Sequence, residues 1–193
     1  MAVRVAHALA QAGCNPVVAV GAIEGLAEAW NVDVAGADSA LGPILADQWP
    51  GEGPLGGVLS ALVHCSGDLV TAPCDLPWLD ELTVRSLLGL VTDQTNVGSS
   101  PPGDPVPFPG AVCGVNNGAM VPVIWWSQRS RPVLEAAFEA GERSLRGALG
   151  LLNVRVVEVS PAVARGVNTT EDLGAYIEKP AGHRSDIPTA QSD

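Results

Sequence analysis

Residues 69–79 read LVTAPCDLPWL. An apolar stretch, Leu69 to Ala72, runs through Pro73 and Cys74 into Asp75, and Pro77 turns the chain immediately afterwards. This is the form of a buried strand ending in a lone carboxylate, and the carboxyl ends of parallel strands are where open α/β sheets place ligand chemistry. Taken alone, Asp75 serves equally well as a turn residue at the start of a helix.

Outward from this stretch the chain alternates. Val5, Leu9 and Ala12 recur at helical spacing from Met1 onward, with Gly13 at the expected stop. Pro16 to Val20 (PVVAV) is a short, continuous apolar run suited to a strand covered on both faces. A helix is expected over Ile23 to Trp30, then a short strand and loops between Asn31 and Gln48. Gly53 to Gly57 (GPLGG) opens a further helix through Val58, Leu59, Leu62 and Val63. Helices are expected at Leu79 to Val91, Pro132 to Ala140 and Ser144 to Leu151, and strands at Ala111 to Val115, Met120 to Trp126 and Val154 to Val159. Asn117-Gly118 marks a tight turn between two of these strands. Strands alternating with helices predict a three-layer α/β domain with a mostly parallel sheet and right-handed crossovers. The Pro-rich segment between Gly98 and Gly110 reads as a surface loop. Residues 180–193, PAGHRSDIPTAQSD, lack the apolar content to pack and are expected to form a disordered tail beyond a single domain over residues 1–179.

With 193 residues, the chain is long enough to bury a core without disulfides or a structural metal. No apolar run reaches about eighteen positions and no basic-then-apolar segment opens the chain, so a soluble, cytoplasmic protein without a membrane partner is expected. A formal net charge of −11 leaves no electrostatic footprint for nucleic acid. The four cysteines, Cys14, Cys65, Cys74 and Cys113, form no CxxC pair and are read as buried free thiols. Cations are scarce: Lys179 is the only lysine, and no Lys or Arg is close in sequence to GPLGG.

Three segments have the character of a nucleotide site. Pro50 to Gly57 (PGEGPLGG) is a glycine-rich turn entering a helix, where backbone N–H groups can approach a base or phosphate, though a plain loop-to-helix turn has the same composition. Asp75 suits Mg²⁺, which takes one or two protein carboxylates and completes its shell with phosphates and water. Gly166 to Leu173 (GVNTTEDL) places Asn168 before Thr169, with Asp172 at capping-box spacing, a pattern a helix cap explains by itself.

GPLGG, PCDLPWL and VNTTEDL, in this order and at this spacing, resemble the molybdenum cofactor guanylyltransferases, small nucleotidyltransferases of the sugar-nucleotide-transferase-like superfamily with a Rossmann-like fold. The similarity runs from about Met1 to Ile177, and the GERS segment, Gly141 to Ser144, also looks like the family. The resemblance implies transfer of GMP from GTP to the phosphate of molybdopterin, with release of pyrophosphate. It makes Asp75 the Mg²⁺-binding and catalytic aspartate and Asn168 a second metal residue. It sets Leu55 and Gly56 against the guanine and, by a looser match, gives Asp47 a nucleotide contact. Transient contact with molybdoenzymes or cofactor-pathway proteins is a further implication.

Attack of a phosphate oxygen on the α-phosphorus brings anionic groups together, so neutralisation and alignment matter more than a protein nucleophile. The family opens with a strand leading into a glycine-rich loop, LAGGxSxRMGxDK, and no such segment is present. The sheet is therefore expected to lack its first central strand, between Pro16–Val20 and Leu69–Ala72, along with the cradle for the triphosphate. The expectation is a natural start upstream of Met1. Alternative readings are a molybdopterin cytidylyltransferase, a sugar-phosphate nucleotidyltransferase, or a non-catalytic α/β binding module. Trp78 is read as an edge core residue with pterin stacking as the alternative, and Trp125 and Trp126 as packing residues.

Overall fold

The structure is a computed structural model that describes residues 1–21, 27–28, 30, 41–92, 108–167, 169 and 171–172. Helix α1, Ala2–Gln11, buries Val5, Ala6, Ala8 and Leu9 on one face. It ends because Gly13 takes φ +99°, which lets the Gly13 and Cys14 N–H groups return to the carbonyls of Ala10 and Leu9, a Schellman stop. Strand β1, Val17–Val20, pairs in parallel with β2, Leu41–Leu45. Of the helix expected at Ile23 to Trp30, the described residues Ala27, Glu28 and Trp30 are helical. The Trp30 indole is buried and donates to the Gly42 carbonyl at 2.8 Å.

Helix α2, Pro54–His64, starts as expected at GPLGG, with Gly53 as N-cap and Pro54 in the first turn. It leads to β3, Leu69–Thr71. Helix α3, Glu81–Thr92, follows the Asp75 turn, with Asp80 accepting the Thr83 N–H at 2.8 Å. Strands β4, Ala111–Asn116, and β5, Ala119–Trp126, form a hairpin whose turn residues Asn117 and Gly118 have φ of 49° and 75°. Positive φ at both positions is what a two-residue turn between twisted strands demands. A single 3₁₀ turn, Gln128–Ser130, precedes α4, Arg131–Glu139; α5, Leu145–Leu149, and β6, Val154–Glu158, complete the described elements.

The larger sheet has the order β3-β5-β4-β6. Strand β5 is antiparallel to both neighbours and β4 is parallel to β6, so β3, β4 and β6 run in one direction. Pro122 is tolerated inside this central strand because the β4–β5 register shifts between Cys113 and Gly114, and the irregularity removes the need for its N–H. Period-two alternation sends Val112, Val121, Val123 and Trp125 to the face covered by α1 and α3. Ala111, Cys113, Ile124 and Trp126 face α2, α4 and α5. The three-layer α/β architecture with a mostly parallel sheet is thus observed, and Trp125 and Trp126 are the packing residues expected, at 3% and 0% exposure.

The strands divide into two sheets, β1-β2 and β3-β5-β4-β6. Helix α2 packs against both β1 and β3, and the α1–α3 core is continuous across both sheets. Among the described residues, the edge of β1 away from β2 and the edge of β3 away from β5 have no strand partner. The break falls at the position where the resemblance sets a further strand. Helix α2 connects β2 of one sheet to β3 of the other, and Asp47 and Asp75 follow the ends of these two strands.

One sequence expectation changes. Cys113 is buried, but Cys74 is exposed, because it lies in the turn between Pro73 and Asp75 rather than within an element; Cys14 and Cys65 are intermediate. Expectations for 93–107 and 173–193, the Pro-rich loop and the tail among them, lie outside the described residues. Among the described residues no helix is long and apolar enough to cross a membrane.

Burial pushes the Cys113 thiol up to about 11. The folded chain therefore holds this proton more tightly than the unfolded chain. The resulting stabilisation is complete below the ordinary thiol range and is lost as pH rises through it toward 11. Urea midpoints measured at pH 8 and pH 10.5 should fall across this interval for the native chain, and the part due to Cys113 should vanish in Cys113→Ala.

Candidate functional site

Two clusters form at the carboxyl ends of the strands. The first is built on Asp75, which is half-buried in the turn after β3. Its backbone carbonyl accepts the Val167 N–H at 2.9 Å. This bond joins PCDLPWL to GVNTTEDL across the domain and fixes the residue immediately before Asn168. The path there is well supported. Asn116 Nδ2 donates to the Val159 carbonyl at 2.8 Å at the end of β6, Val163 is 1% exposed in the core, and Val167 is itself buried. Asn168 lies outside the described residues. The capping box foreseen after it is present: Thr169 donates through N and Oγ1 to Asp172 Oδ2, and the Asp172 N–H returns to Thr169 Oγ1 at 3.1 Å. Cap duty therefore rests on Thr169 and Asp172.

The Asp75 carboxylate has no hydrogen-bond or ion-pair partner among the described residues. A half-buried anion left unpaired at a strand end fits a ligand set that a cation and substrate oxygens would complete. No group of three or more His, Cys, Asp or Glu side chains suited to a metal occurs among the described residues. Although Cys74 is exposed as a residue, partial desolvation of its sulfur pushes the thiol up, the adjacent Asp75 carboxylate adds to the effect, and the Met1 ammonium opposes it. Trp78 is half-buried, and the Arg165 guanidinium sits 5.7 Å from its ring centroid.

The second cluster surrounds the amino end of α2. Asp47 follows β2, and its Oδ1 accepts the Trp49 N–H at 2.9 Å and the Ser60 hydroxyl at 3.1 Å. Ser60 Oγ also lies 3.0 Å from the Gly56 carbonyl and accepts the Gln48 N–H at 3.0 Å. Asp47, Leu55 and Gly56 are thereby brought together, with one Asp47 oxygen committed to holding the loop. Leu55 is fully buried, its side chain in the α2–α4 core and its N–H donated to the Arg143 carbonyl at 3.1 Å. Gly56 is wedged against Trp49, where an added Cβ would come within 3.2 Å of the indole's own Cβ. What this segment exposes is the Gly51–Pro54 turn. Among the described residues no hydrogen bond joins the two clusters, which are connected through α2.

Sequence reading missed Arg143. GPLGG has no cation near it in sequence, yet Arg143 Nε lies 2.8 Å from Glu52 Oε2 in the adjoining turn. GERS was visible as a motif, but its partner lies 91 positions away. Open recesses occur elsewhere, one of about 450 Å³ between α1 and the start of α3 and one of about 280 Å³ near Phe108. Neither is lined by Asp47, Leu55, Gly56 or Asp75.

The family model described as the MobA-like NTP transferase domain matches residues 1–156. A molybdenum cofactor guanylyltransferase from Vibrio vulnificus (strain YJ016) is 29% identical over 140 residues, 70% of this chain and 65% of that protein. The chain therefore spans just under two thirds of the length of the curated relative it matches. The crystal structure of molybdopterin-guanine dinucleotide biosynthesis protein A from Archaeoglobus fulgidus superposes with a TM-score of 0.55 at 21% identity, over 83% of this chain and 76% of that one. A 4-diphosphocytidyl-2C-methyl-D-erythritol synthase from Anaerococcus prevotii DSM 20548 superposes at 0.64 with 10% identity, over 91% and 88%. These two structures share the fold.

Because the Asp75 carboxylate supports nothing else in the structure, Asp75→Ala should leave the urea midpoint nearly unchanged, within about 0.5 kcal/mol. A loss beyond about 2 kcal/mol would mean that the carboxylate is a structural turn residue.

Proposed function

Since the chain belongs to the MobA-like NTP transferase domain family, we propose that it transfers GMP from GTP to the phosphate of molybdopterin, releasing pyrophosphate and forming the guanine dinucleotide cofactor. The observation that carries this reading is the Val167 N–H bond to the Asp75 carbonyl, which draws together the two motifs that the resemblance assigns to the metal. Asp75 is the proposed magnesium carboxylate and Asn168 its proposed partner. Mg²⁺ bound there would supply charge neutralisation between the attacking phosphate and the α-phosphate of GTP.

The remaining roles belong to the chain itself. The exposed Gly51–Pro54 turn at the amino end of α2 is the surface proposed for the guanine, with the Leu55 side chain in the core beneath it, and Asp47 holds that turn in place through Trp49 and Ser60. No protein nucleophile or general base is needed, because the acceptor phosphate is already ionised and alignment limits the rate. The break between β1 and β3 is where the resemblance places the strand and loop that grip the triphosphate, so the proposal is made for the site with that strand in place. A cytoplasmic location and brief contact with cofactor-accepting enzymes accord with a product that must be handed on.

Pyrophosphate release in the presence of molybdopterin and Mg²⁺, compared for GTP and CTP with the chain as given and with any upstream-encoded segment restored, tests the reading. GTP should be preferred, and Asp75→Asn should lower kcat by roughly 10²- to 10³-fold. Preference for CTP would overturn the guanylyl assignment.

A further inference from the structure

We infer that Arg143 is a positioning residue for the base side of the site: it clamps the Glu52–Leu55 turn to the end of α4 and so fixes the surface on which the nucleotide is proposed to lie. The inference rests on the function proposed above and extends it to residues outside the three motifs.

Arg143 makes an unusual number of contacts for a half-exposed residue. Its carbonyl accepts the Leu55 N–H at 3.1 Å, satisfying one of the orphan donors in the first turn of α2. Its Nε binds Glu52 at 2.8 Å, and its Nη1 donates to the carbonyls of Phe138 and Glu142. The guanidinium lies 4.0 Å from the Phe138 ring centroid, and Phe138 in turn meets Trp49 at 5.3 Å between centroids. An ion pair this exposed contributes little to global stability. The set of contacts instead determines where one turn sits.

The glycines of the turn are shaped by the clamp. Gly53 has φ +86°, and a Cβ there would lie 3.0 Å from the Arg143 carbonyl oxygen, so backbone conformation and the close approach of Arg143 both require glycine. Behind Arg143 stands a second layer. Glu142 Oε1 accepts the Arg143 N–H at 2.8 Å, the Ser144 N–H at 2.7 Å and the Ser144 hydroxyl at 2.9 Å. These bonds, those from Ser144 first, hold the Glu142 carboxyl below the usual carboxylate range. Ser144 Oγ also accepts the Gly147 N–H at 3.0 Å and caps α5. Gly147 is the residue that makes room, since a Cβ at this position would overlap the Glu142 carboxylate. Glu142, Arg143 and Ser144 of GERS, and the glycine three positions beyond it, thus form one corner against which the PGEGPLGG turn is held. A turn already held in its binding conformation spares the nucleotide the ordering cost on association.

Two substitutions loosen the corner by different routes. Arg143→Ala removes the guanidinium, and Gly147→Ala evicts Glu142 while leaving Arg143 in the chain. In the full chain, amide hydrogen exchange at residues 52–56 should accelerate roughly tenfold or more in both, with the β4 and β6 amides unchanged. Glu52→Gln, which keeps an acceptor for the guanidinium, should stay near the native rate. The KM for GTP should rise about tenfold in Arg143→Ala with kcat changed less than about twofold, the mark of lost uniform binding. Unchanged exchange at 52–56 would overturn the clamp, and faster exchange with an unaltered KM would overturn the positioning role. Failure of the native chain to turn over GTP would count against guanylyl transfer, while the exchange comparison would still decide the clamp.

Discussion

The organisation of the site depends on one hydrogen bond, from the Val167 N–H to the Asp75 carbonyl. It closes a loop of more than ninety residues and sets Val167 against the turn bearing Asp75. A single buried amide bond contributes about 0.5–1.5 kcal/mol net, and leaving either group unpaired costs about 1–3 kcal/mol. The bond is sustained by the packing beneath it: Val159 and Val163 in the core, and Asn116 holding the end of β6. Asp75 itself contributes its main chain to the fold, while its carboxylate has no partner among the described residues. That division is what allows a fold-bearing position to take the proposed metal role as well.

The two sides of the site are supported differently. On the Asp75 side a main-chain bond and buried valines carry the geometry, so side-chain changes there should affect chemistry more than shape. On the α2 side the geometry comes from a layered contact of Trp49, Phe138 and Arg143, with Gly53 and Gly56 giving way to them. The sheet beneath is divided between β1 and β3, and its continuity is provided by α2 and the α1–α3 core rather than by strand pairing. Helices spanning a break keep the strand ends aligned even where the hydrogen-bonded ladder is interrupted.

Much of this was legible in the sequence. Short apolar runs bounded by Gly and Pro located β1, β3, β4, β5 and β6, and Asn117-Gly118 located the hairpin that makes β5 antiparallel. Asp75 was readable as a candidate only in company with GPLGG and VNTTEDL, because on local sequence a turn residue explains it equally well. The strand at Leu41–Leu45 was expected only as a short strand within a weak region, since Gly42 and Pro43 interrupt its apolar pattern. Arg143 could not be read as part of the site because its partners, Glu52 and Leu55, are distant in sequence, and long-range side-chain pairing leaves no local period. The burial of Leu55 was likewise hidden, since a leucine at the start of a helix faces core or ligand according to the helix's rotation, which tertiary packing decides. Cys74 shows the converse: a residue type that favours burial was exposed by its place in a turn.

The central claim is that Asp75 and the segment after Val167 form one divalent-metal site in the presence of nucleotide. Titration of the ¹⁵N-labelled chain with Mn²⁺ and GTP, followed by paramagnetic broadening of the amide spectrum, tests it most directly. Selective early loss of the amide signals of residues 74–76 and 167–169 is the predicted result. Broadening centred on surface carboxylates such as Asp80 and Glu81, with residues 74–76 and 167–169 unaffected, would contradict the account.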